Sequence, residues 1–380
     1  MKELIVIAGG GGFIGGHLAA DLLRQGKRVR VVDTKPMGEW FQRHKHAENL
    51  RLDLQHRPAC DKALRGATTI YNFACDMGGM GFVEHNKSLC MLSVLINTNL
   101  LAAAKDAGVD RFFFASSVCV YNTEFQKDET RPPLREPEAY PALPDDGYGW
   151  EKLFGERMCR HFREDYGLRT RVARYQPVYG PHGTWEGGRE RVPAAICRKV
   201  VQAKLTGKHE IEIWGDGTQT RSFMYIDDCV KGTQMLVASD VGDPVNMGPR
   251  DLVSINQLVD EVESIAGLSL KRNYKLDAPK GVGGRRIDNA LLRSLFAWEP
   301  STPFRQGLER TFAWIHDEYV KKYGSGPTPR RVSAPKPTPK PATKRPTRDK
   351  AAARGKPAAR SKAGRRSAKV GAKRAARGTR

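Results

Sequence analysis

A tyrosine and a lysine four residues apart, Tyr148 and Lys152 in the run YGWEK, carry the most informative chemistry in this sequence. On a helix that spacing puts phenol and ammonium on one face. A tyrosine titrates near ~10 in water, so it acts as a base at neutral pH only where nearby positive charge favours the phenolate. Lys152 supplies one such charge. Ser116 and Ser117, about 30 residues upstream at the end of an apolar run, add a hydroxyl. Ser117, Tyr148 and Lys152 then have the roles of a site that takes a proton from a hydroxyl while hydride leaves the same carbon.

The second charge would come from a nicotinamide, and the N-terminus has the residues to hold one. Gly9, Gly12 and Gly15, with Phe13 and Ile14 between them, form GxxGxxG directly after the apolar run Leu4–Ala8. At a strand-to-helix turn, glycines let backbone approach a pyrophosphate, and the helix N-terminus faces it with its positive end. A glycine-rich turn alone is weak evidence; its position between strand and helix is what gives it weight. Asp33, 24 residues after Gly9, ends the next apolar run, where a carboxylate accepts hydrogen bonds from ribose hydroxyls and repels a 2′-phosphate. That favours NAD over NADP. Asp53 and Leu54 follow a third short run and either hold the adenine edge or form a turn.

The elements that must position these groups alternate along the first 180 residues. Leu4–Ala8, Val29–Val32, Thr69–Phe73, Arg111–Ala115 and Thr170–Ala173 read as buried parallel strands separated by helical segments, which is the pattern of an α/β, Rossmann-type doubly wound sheet. After Tyr175 the rhythm breaks into Gly- and Pro-rich loops and resumes with a strand near Glu210–Trp214. Ser254–Ala266 and Phe304–Tyr323 have helical spacing, the last helix docking through Phe312, Trp314 and Ile315. This divides the chain into a dinucleotide-binding domain, 1–175 with 222–250 returning to it, a smaller substrate-binding domain, 176–221 and 251–324, and a tail, 325–380.

The tail holds 19 Lys or Arg against one acid, Asp349, and so carries about +18 of the whole-chain +22. It has no aromatic residue and is rich in Pro and Ala, a composition that cannot offset its ordering entropy and predicts disorder. Its charge would attract polyanions, nucleic acid included, without base stacking; a merely solubilising extension is the alternative. Seven cysteines, with no CxxC pair and no metal-ligand spacing, imply free thiols, no zinc, and a reducing, cytoplasmic setting. The run Leu4–Ala8 is too short for a secretion signal, and no stretch approaches the ~18–20 apolar residues of a membrane span.

With GxxGxxG, Asp33, Ser117 and YxxxK in order, followed by RYQPVYGP (174–181), the sequence resembles the extended short-chain dehydrogenases/reductases that act on nucleotide sugars. DMGGMGF (76–82), SSVCVY (116–121), GTWEGGRERVPAAICRK (183–199), WGDGTQTRSF (214–223) and GVGGRRIDN (281–289) resemble, within that family, the GDP-mannose 3,5-epimerases. The resemblance covers residues 2 to 320 and implies NAD, a GDP-sugar substrate and a homodimer formed through the helix bearing Tyr148. It also implies that Cys119 is a base acting beside a transient 4-keto group. The substrate contacts it implies are Gly78, Ser117, Cys119, Glu190, Arg191, Val192, Lys199, Gln219, Thr220, Arg221 and Arg285.

Two departures stand out. Where the family has a lysine as the opposing acid in GGREK, this chain has Arg191, a poor proton donor but a good electrostatic partner. Pro177 replaces an asparagine of many relatives, with Gln176 beside it. Lys199, Arg221 and Arg285 can neutralise a diphosphate, with surface ion pairing as the alternative for each. The rival readings are another NAD-dependent nucleotide-sugar epimerase or 4,6-dehydratase, in which Cys119 is incidental, and a non-catalytic nucleotide-sugar-binding scaffold targeted by its tail.

Overall fold

The computed structural model describes residues 3–126, 131–278, 284 and 286–325. Arg285 and the tail from 326 onward, with the expectations placed on them, lie outside the described residues.

β1 (Leu4–Ala8), β2 (Arg28–Asp33), β3 (Glu48–Arg51), β4 (Thr69–Asn72), β5 (Arg111–Ser117) and β6 (Arg169–Tyr175) form one parallel sheet with the strand Val245–Met247. The order across it is Val245–Met247, β6, β5, β4, β1, β2, β3. Every pairing is parallel. Burial on both faces explains the unbroken apolar runs: Ile5 and Ile7 enter the core on one side with Val29, Val31 and Phe113, while Val6 and Ala8 enter the other with Val32, Ile70, Phe112 and Phe114. Side chains alternate faces with a period of two, so a five-residue run feeds both cores. Each large side chain so buried contributes about 1.5–3 kcal/mol.

The strands are where the sequence predicts them, with ends that differ by one or two residues. β5 continues through Ser116 and Ser117, and β6 through Tyr175, which it pairs with Ser117. The order reverses between β1 and β4, so the loops after these strands part and leave a crevice at their C-terminal ends. Gly9, Asp33 and the residues after Asn72 all emerge there.

Beyond β6, the helices Val192–Thr206, Ile255–Ala266 and Phe304–Tyr323 pack together, and Glu210–Trp214 pairs in parallel with Lys271–Lys275. Ser254 caps its helix reciprocally with Gln257, each side chain accepting from the other's backbone N–H. Phe312 and Ile315 are buried in the core, and Trp314 packs edge-on against Phe41 with ring centres 5.5 Å apart. All the described residues belong to one compact unit.

One sequence expectation is corrected. Lys87–Asp106, the helices Lys87–Met91 and Ser93–Asp106, is long and apolar enough by composition to cross a membrane. Both helices pack against the helix Asp146–Tyr166. Ile96, Leu100, Leu101, Ala103 and Ala104 of the second helix enter the core between helix and sheet, which explains part of the composition, while Met91, Leu92 and Leu95 stay exposed.

Candidate active site

The glycine turn is shaped by close approach. Gly9 has φ +77°, and a Cβ there would lie 2.8 Å from the Ala74 nitrogen; one on Gly15 would lie 2.6 Å from the Gly9 carbonyl. Gly12 precedes the helix Phe13–Arg24 in extended conformation with no capping side chain, which leaves the helix end open to an anion. Asp33, 7% exposed, ends β2 with Oδ1 accepting the Lys35 N–H at 3.0 Å. Asp53 is a turn former, accepting the Gln55 N–H at 3.0 Å, and it also lines the cleft beside Leu54.

These groups line a cleft of about 800 Å³ that runs from Gly9, Phe13, Ile14 and Asp33 to Ser117, Cys119, Tyr148, Lys152 and Arg191. The helix Asp146–Tyr166 presents the tyrosine because glycines let it sit close. A Cβ on Gly147 would lie 2.6 Å from the Lys87 carbonyl, and one on Gly155 would run into the Phe114 ring. Tyr148 and Lys152 are buried, with Nζ 5.5 Å from the tyrosine ring centre and 5.0 Å from that of Phe114. Burial pushes the Tyr148 phenol up, opposed by the positive charges of Lys152 and Arg191 and reinforced by Cys75 and Cys119. Burial also works to neutralise Lys152, but Cys75, Glu151 and Tyr148 outweigh it and the ammonium is held charged.

The two serines divide their work. Ser116 donates to Glu156 Oε1 at 2.5 Å, and Glu156 is clamped by Arg174 through Nε at 2.9 Å and Nη2 at 2.6 Å. Ser117 Oγ accepts the Cys119 N–H at 3.2 Å, capping the turn Val118–Val120. The hydroxyl hydrogen of Ser117 is then free to point elsewhere.

Two of the distant motifs are stitched together at the mouth. The Gly79 N–H donates to the Arg189 carbonyl at 3.1 Å, Arg189 Nη1 lies 3.3 Å from Asp76 Oδ1, and its guanidinium stacks 3.9 Å above the Phe82 ring. Arg191 precedes the helix Val192–Thr206 and reaches the cleft, its Nη2 3.7 Å from Met77 Sδ.

Other predicted contacts lie off the cleft wall. Gly78 is buried against Phe82. Glu190 braces its own loop, accepting from Gly188 N–H at 2.7 Å and from Arg198 Nη2 at 3.2 Å. Val192 is a helix-start residue, 39% exposed. Lys199 donates to the Glu212 carbonyl at 2.7 Å, and burial pulls its ammonium down. Gln219 donates to the Trp214 carbonyl at 3.1 Å, and the strand Thr220–Arg221 pairs with Val253–Ser254. Sequence reasoning missed Cys75 and Met77 on the wall, and Glu151 behind Lys152. Cys75 had a signal, its place just after β4 at the crevice; Glu151 had none beyond adjacency.

A tight glycine turn with no room for a Cβ at Gly9 or Gly15, an open helix end and a carboxylate ending β2 fit an adenine dinucleotide, with Tyr148 and Lys152 at the far end of the same cleft. Fold and cleft together define a dinucleotide-dependent enzyme of the short-chain dehydrogenase type. The sequence profile of the NAD dependent epimerase/dehydratase family matches residues 5–248, and the chain belongs to that family. The family is enzymatic and its cofactor is NAD. The chain is 41% identical over 326 residues to GDP-mannose 3,5-epimerase 1 of Oryza sativa subsp. japonica, covering 86% of this chain and 85% of that protein. It is 40% identical to GDP-mannose 3,5-epimerase of Arabidopsis thaliana, covering 85% and 84%. Among solved structures, UDP-glucuronic acid 4-epimerase from Bacillus cereus, in complex with UDP-glucuronic acid and NAD, superposes with a TM-score of 0.71 at 25% identity, covering 83% of this chain and 100% of that one.

Proposed function

We propose that this chain epimerises GDP-mannose at carbons 3 and 5 through a transient 4-keto sugar. The observation that carries the reading is that Cys119 and Arg191 share a cleft wall with Tyr148, both near enough for their charges to act on its phenol. The 41% and 40% identical relatives named for that activity support it.

Gly9, Gly12, Gly15 and the helix start would hold the pyrophosphate of NAD, Asp33 the adenosine ribose, and Lys152 the nicotinamide ribose. Bound there, NAD would supply the hydride acceptor for oxidation at carbon 4 and the donor for the closing reduction. Tyr148 takes the proton of the 4-hydroxyl, its phenolate favoured by Lys152, while Ser117 donates a hydrogen bond to the same oxygen. The new carbonyl acidifies the hydrogens on carbons 3 and 5, and the Cys119 thiolate removes one from one ring face. Arg191 stabilises the enediolate through its guanidinium, and water or another group returns a proton on the opposite face.

We also propose a homodimer. Met91, Leu92, Leu95, Trp150 and Phe154, each 42–47% exposed, lie on the packed helices Lys87–Met91, Ser93–Asp106 and Asp146–Tyr166 and at the joint between the first two. All seven cysteines are free, which supports a reducing, cytoplasmic setting.

The test is incubation with GDP-mannose in deuterated water without added NAD, followed by NMR, with Arg191→Lys alongside. Deuterium at both carbons in the natural chain supports the reading and shows that arginine suffices. Exchange only in the variant means that the natural chain runs a different reaction, and silence from both sends the search to other nucleotide sugars.

A further inference from the structure

Lys152 is held from behind. Its Nζ lies 3.3 Å from Oε2 of Glu151, the preceding residue, whose side chain is fully buried. Oε2 accepts no hydrogen bond among the described residues, so its charge is answered by that ammonium. The other oxygen, Oε1, accepts from Asn97 Nδ2 at 2.6 Å; Asn97 Oδ1 accepts from Asn72 Nδ2 at 2.6 Å; and Asn72 Oδ1 accepts the Ala74 N–H at 3.1 Å. Asn72 and Asn97 are each 1% exposed.

The chain of contacts crosses three elements. Asn72 ends β4, Asn97 lies on the helix Ser93–Asp106, and Glu151 on the helix Asp146–Tyr166. It ends at Ala74, the residue against which the bare Cα of Gly9 is seated. An ammonium buried alone would shed its proton or turn toward water. A carboxylate fixed by Asn97, which Asn72 fixes in turn, gives it one place to sit.

We propose that Glu151, oriented by Asn97 and Asn72, is a positioning residue that holds the Lys152 ammonium where it engages the nicotinamide ribose and the Tyr148 phenol. The inference rests on the proposed dinucleotide site and deepens it. Glu151 touches neither sugar nor cofactor and acts only through Lys152. The two asparagines let it do so from a dry interior, because each amide donates to the next acceptor along the path.

The experiment is a double-mutant cycle on NAD affinity, measured by calorimetry on the full chain stripped of nucleotide. Glu151→Gln keeps the shape and the Asn97 bond but removes the charge, and weakens NAD binding roughly tenfold, about 1.4 kcal/mol. In a Lys152→Met background the same substitution changes affinity by less than about twofold. Equal losses in both backgrounds overturn the proposal and make Glu151 a packing residue. If Lys152→Met weakens NAD and Glu151→Gln does not, the proposal fails while the cofactor site stands; if Lys152→Met has no effect, both fail.

A second readout separates charge from shape. The groups facing Lys152 are Cys75 from the loop after β4, with Glu151 and Tyr148 from its own helix. Those facing Glu151 are Lys152 and Asn97. Removing the carboxylate removes a cause of the raised lysine, so the alkaline loss of NAD affinity moves to lower pH in Glu151→Gln. An unmoved alkaline limb contradicts the proposal. Should that variant fail to fold, Asn97→Ala, which frees the carboxylate, goes through the same cycle and is held to the same outcomes.

Discussion

The carbonyl of Cys119 occupies the space into which a side chain at Gly149 would project, and it accepts the Asp145 N–H at 2.9 Å. The helix bearing Tyr148 therefore rests directly on the turn bearing Cys119, backbone on backbone. Tyrosine and cysteine come from different elements, yet one glycine sets the distance between them.

Gly149→Ala must push that helix off the turn, because the obstructing atom is backbone and cannot swing aside. Overpacking of this kind costs about 1–3 kcal/mol, and a displacement of about 1 Å at a reacting pair costs on the order of 10²-fold in rate. We expect a folded protein with a lowered Tm and turnover reduced by roughly that factor. Turnover within about twofold of the natural chain would show that the helix and the turn move together.

Cys119→Ser separates the oxidation step from the epimerisation. The hydroxyl of serine is a far weaker acid than a thiol, so proton removal beside the carbonyl is lost while Tyr148, Lys152 and Ser117 stay in place. The expected result is reduction of the bound NAD by substrate, seen as nicotinamide absorbance, without deuterium entering carbons 3 or 5. Undiminished exchange in the variant would remove Cys119 from the chemistry.

Much of this site was legible in the sequence because doubly wound topology does the assembling. Gly9, Asp33 and Ser117 each stand at the C-terminal end of a strand or just past it, and parallel pairing brings those ends to one edge. Tyr148 and Lys152 needed only a helix, and their spacing announces one. Glu151 was invisible because its meaning depends on Asn97 and Asn72, residues on two other elements that only packing brings to it. Lys199 shows the converse: a cation inside a recognisable motif reads as a phosphate ligand, while the packing of its helix beside Glu210–Trp214 sends the ammonium to the Glu212 carbonyl.

The exposed apolar face on the Tyr148 helix gives a test of the proposed dimer. Trp150 and Phe154, one turn apart and 44% and 47% exposed, would lie at the centre of a helix-to-helix interface. Replacing both with Glu puts two charges where apolar side chains meet, and sedimentation should show a monomer in place of a dimer. If the natural chain already sediments as a monomer, the face has another use and the dimer is wrong.

A histidine on the helix that follows the glycine turn should make the fold sensitive to mild acid. His17 lies on the helix Phe13–Arg24, its Nε2 2.9 Å from the Pro181 carbonyl and its ring 5.6 Å from that of His182. Burial holds its pKa below the ordinary 6.5, with His182 and His44 adding to the effect and the Pro181 contact and Asp227 opposing it. The folded chain thus keeps His17 neutral at a pH where the unfolded chain would protonate it, and unfolding takes up a proton. The stability this group contributes is whole above pH 6.5 and is lost as pH falls toward the folded pKa. Burial lowers His182 as well, in the same sense, whereas Glu136 and Glu151, raised by burial, favour the folded state as acid is added. The difference between two chains isolates the histidine. His17→Gln retains an N–H for the Pro181 carbonyl and does not titrate, so its Tm should fall less than that of the natural chain between about pH 7 and 5.5. Parallel curves over that window would mean that His17 does not gate stability, and the acid sensitivity would have to be sought at His182.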